Sequence, residues 1–143
     1  MLFRSGKPER ATQNRVIALF RDELKYRYLG DWSDRPGNSN IEEGLLTAYL
    51  AKCGYTPEQI SRAIYLLRTE AENPNRSLYD NNKAVYGLLR YGVQLKTAAG
   101  QLTETVKLIN WEQPDKNDFA VAEEVTLRGP LERRPDQIGR AHV

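Results

Sequence analysis

The sequence predicts an α+β fold: N-terminal helices followed by an antiparallel strand meander. Three observations carry this reading. Apolar residues recur at three- and four-residue spacing as far as Tyr91, then alternate after Gly92. The helical stretches are bounded by N-cap residues, glycine and proline. Past Gly92 the alternating runs are short and separated by turn formers. With 143 residues, 40% apolar and 28% charged, the chain has the length of one domain and too much apolar content for a disordered one.

Residues 1–10 are polar. From Thr12, read as an N-cap, Val16, Ile17, Phe20 and Leu24 follow at helical spacing, and the pattern fades between Tyr26 and Gly30. A short aromatic segment, Tyr26-Arg27-Tyr28, leads into Gly30 to Ser39, which is dense in turn formers and reads as a loop. The second helix is expected after Asn40 and closes at Gly54. At about 100° per residue, Leu45, Leu46, Tyr49, Leu50 and Cys53 share one apolar sector, with Glu42 near its middle and Glu43 at its edge. Glu43 stands three residues after Asn40, the spacing of a capping box. Glu42 faces the core, where a carboxylate needs a partner, a proton or a cation, or else must reach sideways to water as a first-turn acid. Cys53 is expected to be a core residue.

Thr56-Pro57-Glu58-Gln59 announces the third helix with an N-cap, a proline at the first position and a capping-box glutamine. Its stripe is Ile60, Ala63, Ile64, Leu67 and Ala71, and Asn73-Pro74-Asn75 ends it. Ser77 caps a fourth helix reaching Arg90, with Leu78, Val85, Leu88 and Leu89 inward. Three strands are expected next: Val93 to Lys96, Thr105 to Trp111, and a run in which Phe119, Val121, Val125 and Leu127 alternate with Glu123 on their face. Thr97 to Gln101 and Glu112 to Asn117 are the intervening turns, and Gly129-Pro130 breaks the third strand.

Composition narrows the chemistry. A single cysteine excludes an internal disulfide and a multi-cysteine zinc site. No apolar run is long enough to span a bilayer and the N-terminus lacks a signal-peptide core, so a cytoplasmic protein with no membrane partner is expected. The net charge of +2 is too small to predict nucleic-acid binding by itself. The only histidine, His142, lies in a C-terminal heptapeptide unlike the rest; without that tail no imidazole remains for catalysis. Carboxylates, lysines and a metal are left.

The acid best placed for such chemistry is Asp136, at the end of Glu132-Arg133-Arg134-Pro135-Asp136. Metal-dependent phosphodiester hydrolysis needs two or three oxygen ligands converging on Mg²⁺, with a lysine near the attacking water or the scissile phosphate. Asp136 and Glu42 can supply two ligands, and no acid or lysine follows Asp136.

Asn14-Arg15-Val16-Ile17, Tyr28-Leu29-Gly30-Asp31-Trp32, Asn38-Ser39-Asn40-Ile41-Glu42-Glu43, Leu78-Tyr79, Leu89-Arg90-Tyr91-Gly92-Val93, Asn117-Asp118-Phe119-Ala120-Val121-Ala122-Glu123-Glu124-Val125-Thr126 and Arg134-Pro135-Asp136 together resemble the N-terminal region of the restriction (R) subunit of type I restriction enzymes. The resemblance runs from about residue 9 to residue 136. It implies a PD-(D/E)xK nuclease fold, here incomplete, in which Asp136 binds Mg²⁺ and Glu42 supports the site as a second catalytic and metal-binding carboxylate. It further implies double-stranded DNA as substrate, methylation and specificity subunits as partners, and ATP consumed by motor domains that lie outside this chain. Such proteins continue after Pro-Asp with an apolar strand, a tight turn and a strand bearing Glu-x-Lys.

This chain instead carries Gln137-Ile138-Gly139-Arg140-Ala141-His142-Val143. The codons CAG ATC GGA AGA GCA CAC GTC would encode that heptapeptide, and they resemble a common sequencing-library adapter. Residues 1–136 are therefore read as the N-terminal part of a nuclease domain and residues 137–143 as a non-native tail, and the 143-residue chain is expected to be inactive alone. The alternative is a non-catalytic protein-docking or weak DNA-binding module, in which Arg90, Lys96, Lys107, Arg128, Arg133 and Arg134 track phosphates rather than simply face solvent.

Overall fold

The computed structural model describes residues 6–37, 40–96 and 103–126, excluding the side chains of residues 6 and 7. The chain divides into two compact units, one made of Met1–Ser39 with Phe119–Val143 and the other of Asn40–Asp118. The α+β class holds: helices alternate with two small sheets. Among the described residues no helix is long and apolar enough to cross a membrane.

In the first unit, α1 runs Gly6–Ala18 and continues into a π-helical turn, Leu19–Glu23. The helix thus starts a turn and a half before the expected cap at Thr12. Pro8 is tolerated because the N–H it lacks in the first turn would have no intrahelical partner. The Thr12 hydroxyl donates to the Pro8 carbonyl at 3.0 Å, so a residue expected to start the helix is satisfied inside it. Lys25, at φ 60°, turns the chain out of the helix.

Arg27–Asp31 is a strand, β1, where only an aromatic segment and the beginning of a loop were expected. It pairs in parallel with Ala120–Glu123, the fourth strand in chain order, β4. The third expected strand therefore exists but joins β1 instead of extending the meander. A parallel pair needs a long crossover, and the whole of Asn40–Asp118 supplies it in sequence. The register slips between Tyr28 and Asp31, where Gly30 takes φ 92°. Phe20, Tyr26 and Phe119 stack edge-to-face and tilted, with ring centroids 4.9 and 5.1 Å apart.

The second unit holds α2 (Glu43–Lys52), α3 (Pro57–Ala71), α4 (Leu78–Tyr91) and an antiparallel hairpin of β2 (Val93–Leu95) and β3 (Glu104–Val106). The expected turn from Thr97 to Gln101 lies outside the described residues. Leu50, Ile60, Ala63, Ile64, Leu67, Val93, Leu95, Val106 and Leu108 form its core. The capping box at Thr56 and Gln59 is present with both of its hydrogen bonds, and the Ser77 side chain accepts the Asp80 N–H.

In the first unit Val16, Leu24 and Phe119, expected on apolar stripes, are exposed, and in the second unit two apolar positions depart from expectation. Leu78 is 74% exposed: as the first residue of α4 its side chain leans back past the helix end, and Asn81 takes the buried place one turn on. Cys53 is exposed, not core, because α2 ends at Lys52 and leaves it in the C-cap position. The second expected strand is also short: after Val106 the chain bends into a loop organised by Asn117. That side chain accepts from the Tyr49 hydroxyl and the Asn110 N–H, and donates to the carbonyls of Asn110 and Pro114.

Candidate functional site

Glu42 is the N-cap residue of α2, half-buried, with φ −83° and ψ 83° and no side-chain bond to the helix's free N–H groups. Its carbonyl accepts the Leu46 N–H at 3.0 Å. The helix starts at Glu43 instead of just after Asn40, so Glu42 stands before the first turn, half-buried, rather than in the centre of the apolar sector. Glu43 makes no capping box with Asn40; its carboxylate pairs with Arg68 of α3. Asp136 and the whole Glu132 to Asp136 stretch lie outside the described residues, as do residues 137–143. Among the described residues, no group of three or more His, Cys, Asp or Glu is arranged to hold a metal ion.

The carboxylate the structure treats most distinctively is Glu123, which ends β4 with its side chain only 7% exposed. Glu123 is buried, and the structure supplies the partners that make burial tolerable. Oε1 is 3.0 Å from Nη1 of Arg10 on α1, and Oε2 accepts the Tyr28 hydroxyl of β1 at 2.9 Å. Both oxygens are thus engaged. The same Arg10 nitrogen is 3.9 Å from Glu124, whose Oε1 also accepts from Gln13 of α1 at 3.2 Å. The Glu123 carbonyl accepts the Trp32 N–H at 2.8 Å, extending the β1–β4 ladder by one bond.

Hydrogen bonding to Glu123, followed by burial and the carboxylate charge, raises the Tyr28 hydroxyl above the usual tyrosine pKa, so it remains a donor. Beside this cluster a cleft of about 640 Å³ opens between α1 and β4, walled by Val16, Ile17, Val121 and Val125. The chemistry of such a carboxylate is positional. With both oxygens occupied it fixes the end of β4 against α1 and β1, and Asp136 follows thirteen residues later in the chain. Sequence reasoning singled out Glu123 but missed Arg10 and Tyr28, which carry no local signal because their partner is distant in sequence.

A family profile described as type I restriction enzyme R protein N terminus matches residues 6–140. The chain belongs to this family. No curated protein and no solved structure matches the chain. The R-protein match spans both units and includes Glu42, Glu123 and Asp136. A mixed α+β architecture is consistent with the restriction-endonuclease-like region expected at the N terminus of such an R protein.

Proposed function

We propose that this chain forms part of the nuclease of a type I restriction–modification complex, cutting double-stranded DNA with Mg²⁺ while methylation and specificity subunits act beside it. The observation that carries the reading is the family match from residue 6 to residue 140, which takes in Arg134-Pro135-Asp136. In the intact protein, ATP-driven motor domains outside this chain would move the DNA. Asp136 and Glu42 would hold the cation; both are carboxylates, the hard oxygen donors that Mg²⁺ prefers, and Glu42 is half-buried at a helix start rather than sealed in a core. Bound there, Mg²⁺ would activate water and polarise the scissile phosphate. The part played by the chain's own described residues is support: Arg10, Tyr28 and Glu123 hold the end of β4, the strand from which the chain continues toward Asp136.

The family's chemistry also calls for a lysine and another acid after Pro-Asp, and residues 137–143 contain neither. The 143-residue chain is therefore expected not to nick supercoiled plasmid in Mg²⁺, whereas a protein whose reading frame is extended past Asp136 from genomic DNA is expected to cut it, given the partner subunits and ATP. An extended frame that lacks an apolar strand followed by Glu-x-Lys, or plasmid nicking by the 143-residue chain alone, would overturn this reading.

A further inference from the structure

The outer face of α4 carries a stripe that the fold does not use. Tyr79, Lys83, Tyr86 and Arg90 follow one another at spacings of four, three and four residues, which places them within about 60° of each other around the helix. All four are exposed, Tyr79 at 74% and Tyr86 at 64%. Along the axis Tyr79 and Tyr86 are about 10 Å apart, and Arg90 lies about 16 Å from Tyr79. At this end the stripe meets two more exposed rings. The Arg90 guanidinium sits 5.2 Å from the Trp111 ring centroid and 5.9 Å from that of Tyr91. Trp111 is 51% exposed, yet its indole N–H donates to the Leu89 carbonyl at 2.9 Å, so the ring is held in place while remaining accessible.

Exposed rings on one helix face add nothing to the core, and a run of them interleaved with cations has a specific complement. The stripe contains no acid. The one acidic residue of α4, Asp80, lies about 100° round the helix and is engaged with Ser77 at its N-terminus. Glu112, next to Trp111 in sequence, is 3.7 Å from Lys107. Charge therefore favours a polyanion, and the ring faces favour one with unpaired bases, since a duplex hides its base faces in the stack.

We propose that the outer face of α4, ending at Trp111, binds single-stranded nucleic acid, with bases stacking on Tyr79, Tyr86 and Trp111 and phosphates drawn to Lys83 and Arg90. This surface is separate from the nuclease reading and does not rest on it. Its test needs no metal and no cleavage. The 143-residue chain, in EDTA, is titrated into a fluorescein-labelled oligothymidylate of about fifteen nucleotides and, separately, a duplex of the same length, at about 50 mM and about 200 mM salt.

The single strand should bind more tightly than the duplex, weaken at the higher salt and quench tryptophan fluorescence, and the quench should disappear in Trp111→Phe. Tyr79→Ala/Tyr86→Ala should weaken binding about tenfold or more with an unchanged circular dichroism spectrum, because both side chains are exposed. Lys83→Gln should lower the salt slope by about one. Absence of single-strand binding at the lower salt, equal affinity in the double variant, or equal affinity for duplex without quenching would overturn the proposal.

Discussion

Replacing Arg10 with methionine should destabilise the first unit more than replacing Glu123 with glutamine, although both changes break the same ion pair. The asymmetry follows from burial: the Glu123 side chain is 7% exposed and that of Arg10 is 53% exposed. In Arg10→Met the carboxylate stays behind, out of water, with the Tyr28 hydroxyl of β1 still donating to it at 2.9 Å. The neighbouring Glu124 loses the same cation at 3.9 Å, so two adjacent negative charges lose a shared counter-ion. Leaving one member of a fully buried pair costs about 3–5 kcal/mol. Because half of Arg10 is already solvated and Tyr28 still donates, about 2 kcal/mol is expected here.

Glu123→Gln keeps an oxygen for Tyr28 and releases Arg10 to water, which costs about 1 kcal/mol. The difference is about fivefold in the unfolding constant. Urea denaturation at pH 7, followed by fluorescence and circular dichroism, measures both. Equal costs, or a larger cost for Glu123→Gln, would refute the view that Glu123 is a buried charge dependent on Arg10.

Two further predictions concern the second unit. Burial, and then a hydrogen bond with the Cys53 thiol, push the Tyr49 pKa up to about 12; since the unfolded chain ionises near the ordinary value of about 10, the resulting stability is present below about pH 10 and is lost as pH rises toward 12. Tyr49→Phe should flatten that alkaline decline in urea melts between about pH 9 and about pH 11.5, and an unchanged slope would count against it. Gly92 has φ 88°, and a Cβ there would stand 2.8 Å from Thr105 Cγ2 and 3.0 Å from the Val106 carbonyl oxygen, whereas Gly54, at φ 96°, has nothing within 4 Å. Gly92→Ala should therefore cost about 2–3 kcal/mol and Gly54→Ala about 1 kcal/mol in the same assay, the excess being the clash with β3; similar costs would contradict it.

What the sequence made legible was what is decided locally. The Thr56-Pro57-Glu58-Gln59 start, the Ser77 cap and the stripe of Ile60, Ala63, Ile64 and Leu67 are settled by residues within one or two turns of each other, and all are found as expected. The strand at Arg27–Asp31 was illegible because its hydrogen-bonding partner lies about ninety residues away, and Gly30 and Asp31 taken alone favour a turn. At α2 both Asn40 and Glu42 precede the helix closely, and cap preference alone does not choose between start sites a few residues apart; that shift moved Glu42 off the apolar sector and gave Glu43 to Arg68. Glu123 was visible as a carboxylate among apolar alternates, while Arg10 and Tyr28 were not, since nothing near either residue encodes a distant carboxylate.

The proposed function makes Asp136 a metal-binding carboxylate of a nuclease. It is tested most directly by Asp136→Ala in the protein with its reading frame extended, assayed with partner subunits, ATP and Mg²⁺ on plasmid DNA. Cleavage is predicted to be abolished while the circular dichroism spectrum and urea midpoint stay those of the parent; cleavage retained at the parental rate would contradict the assignment.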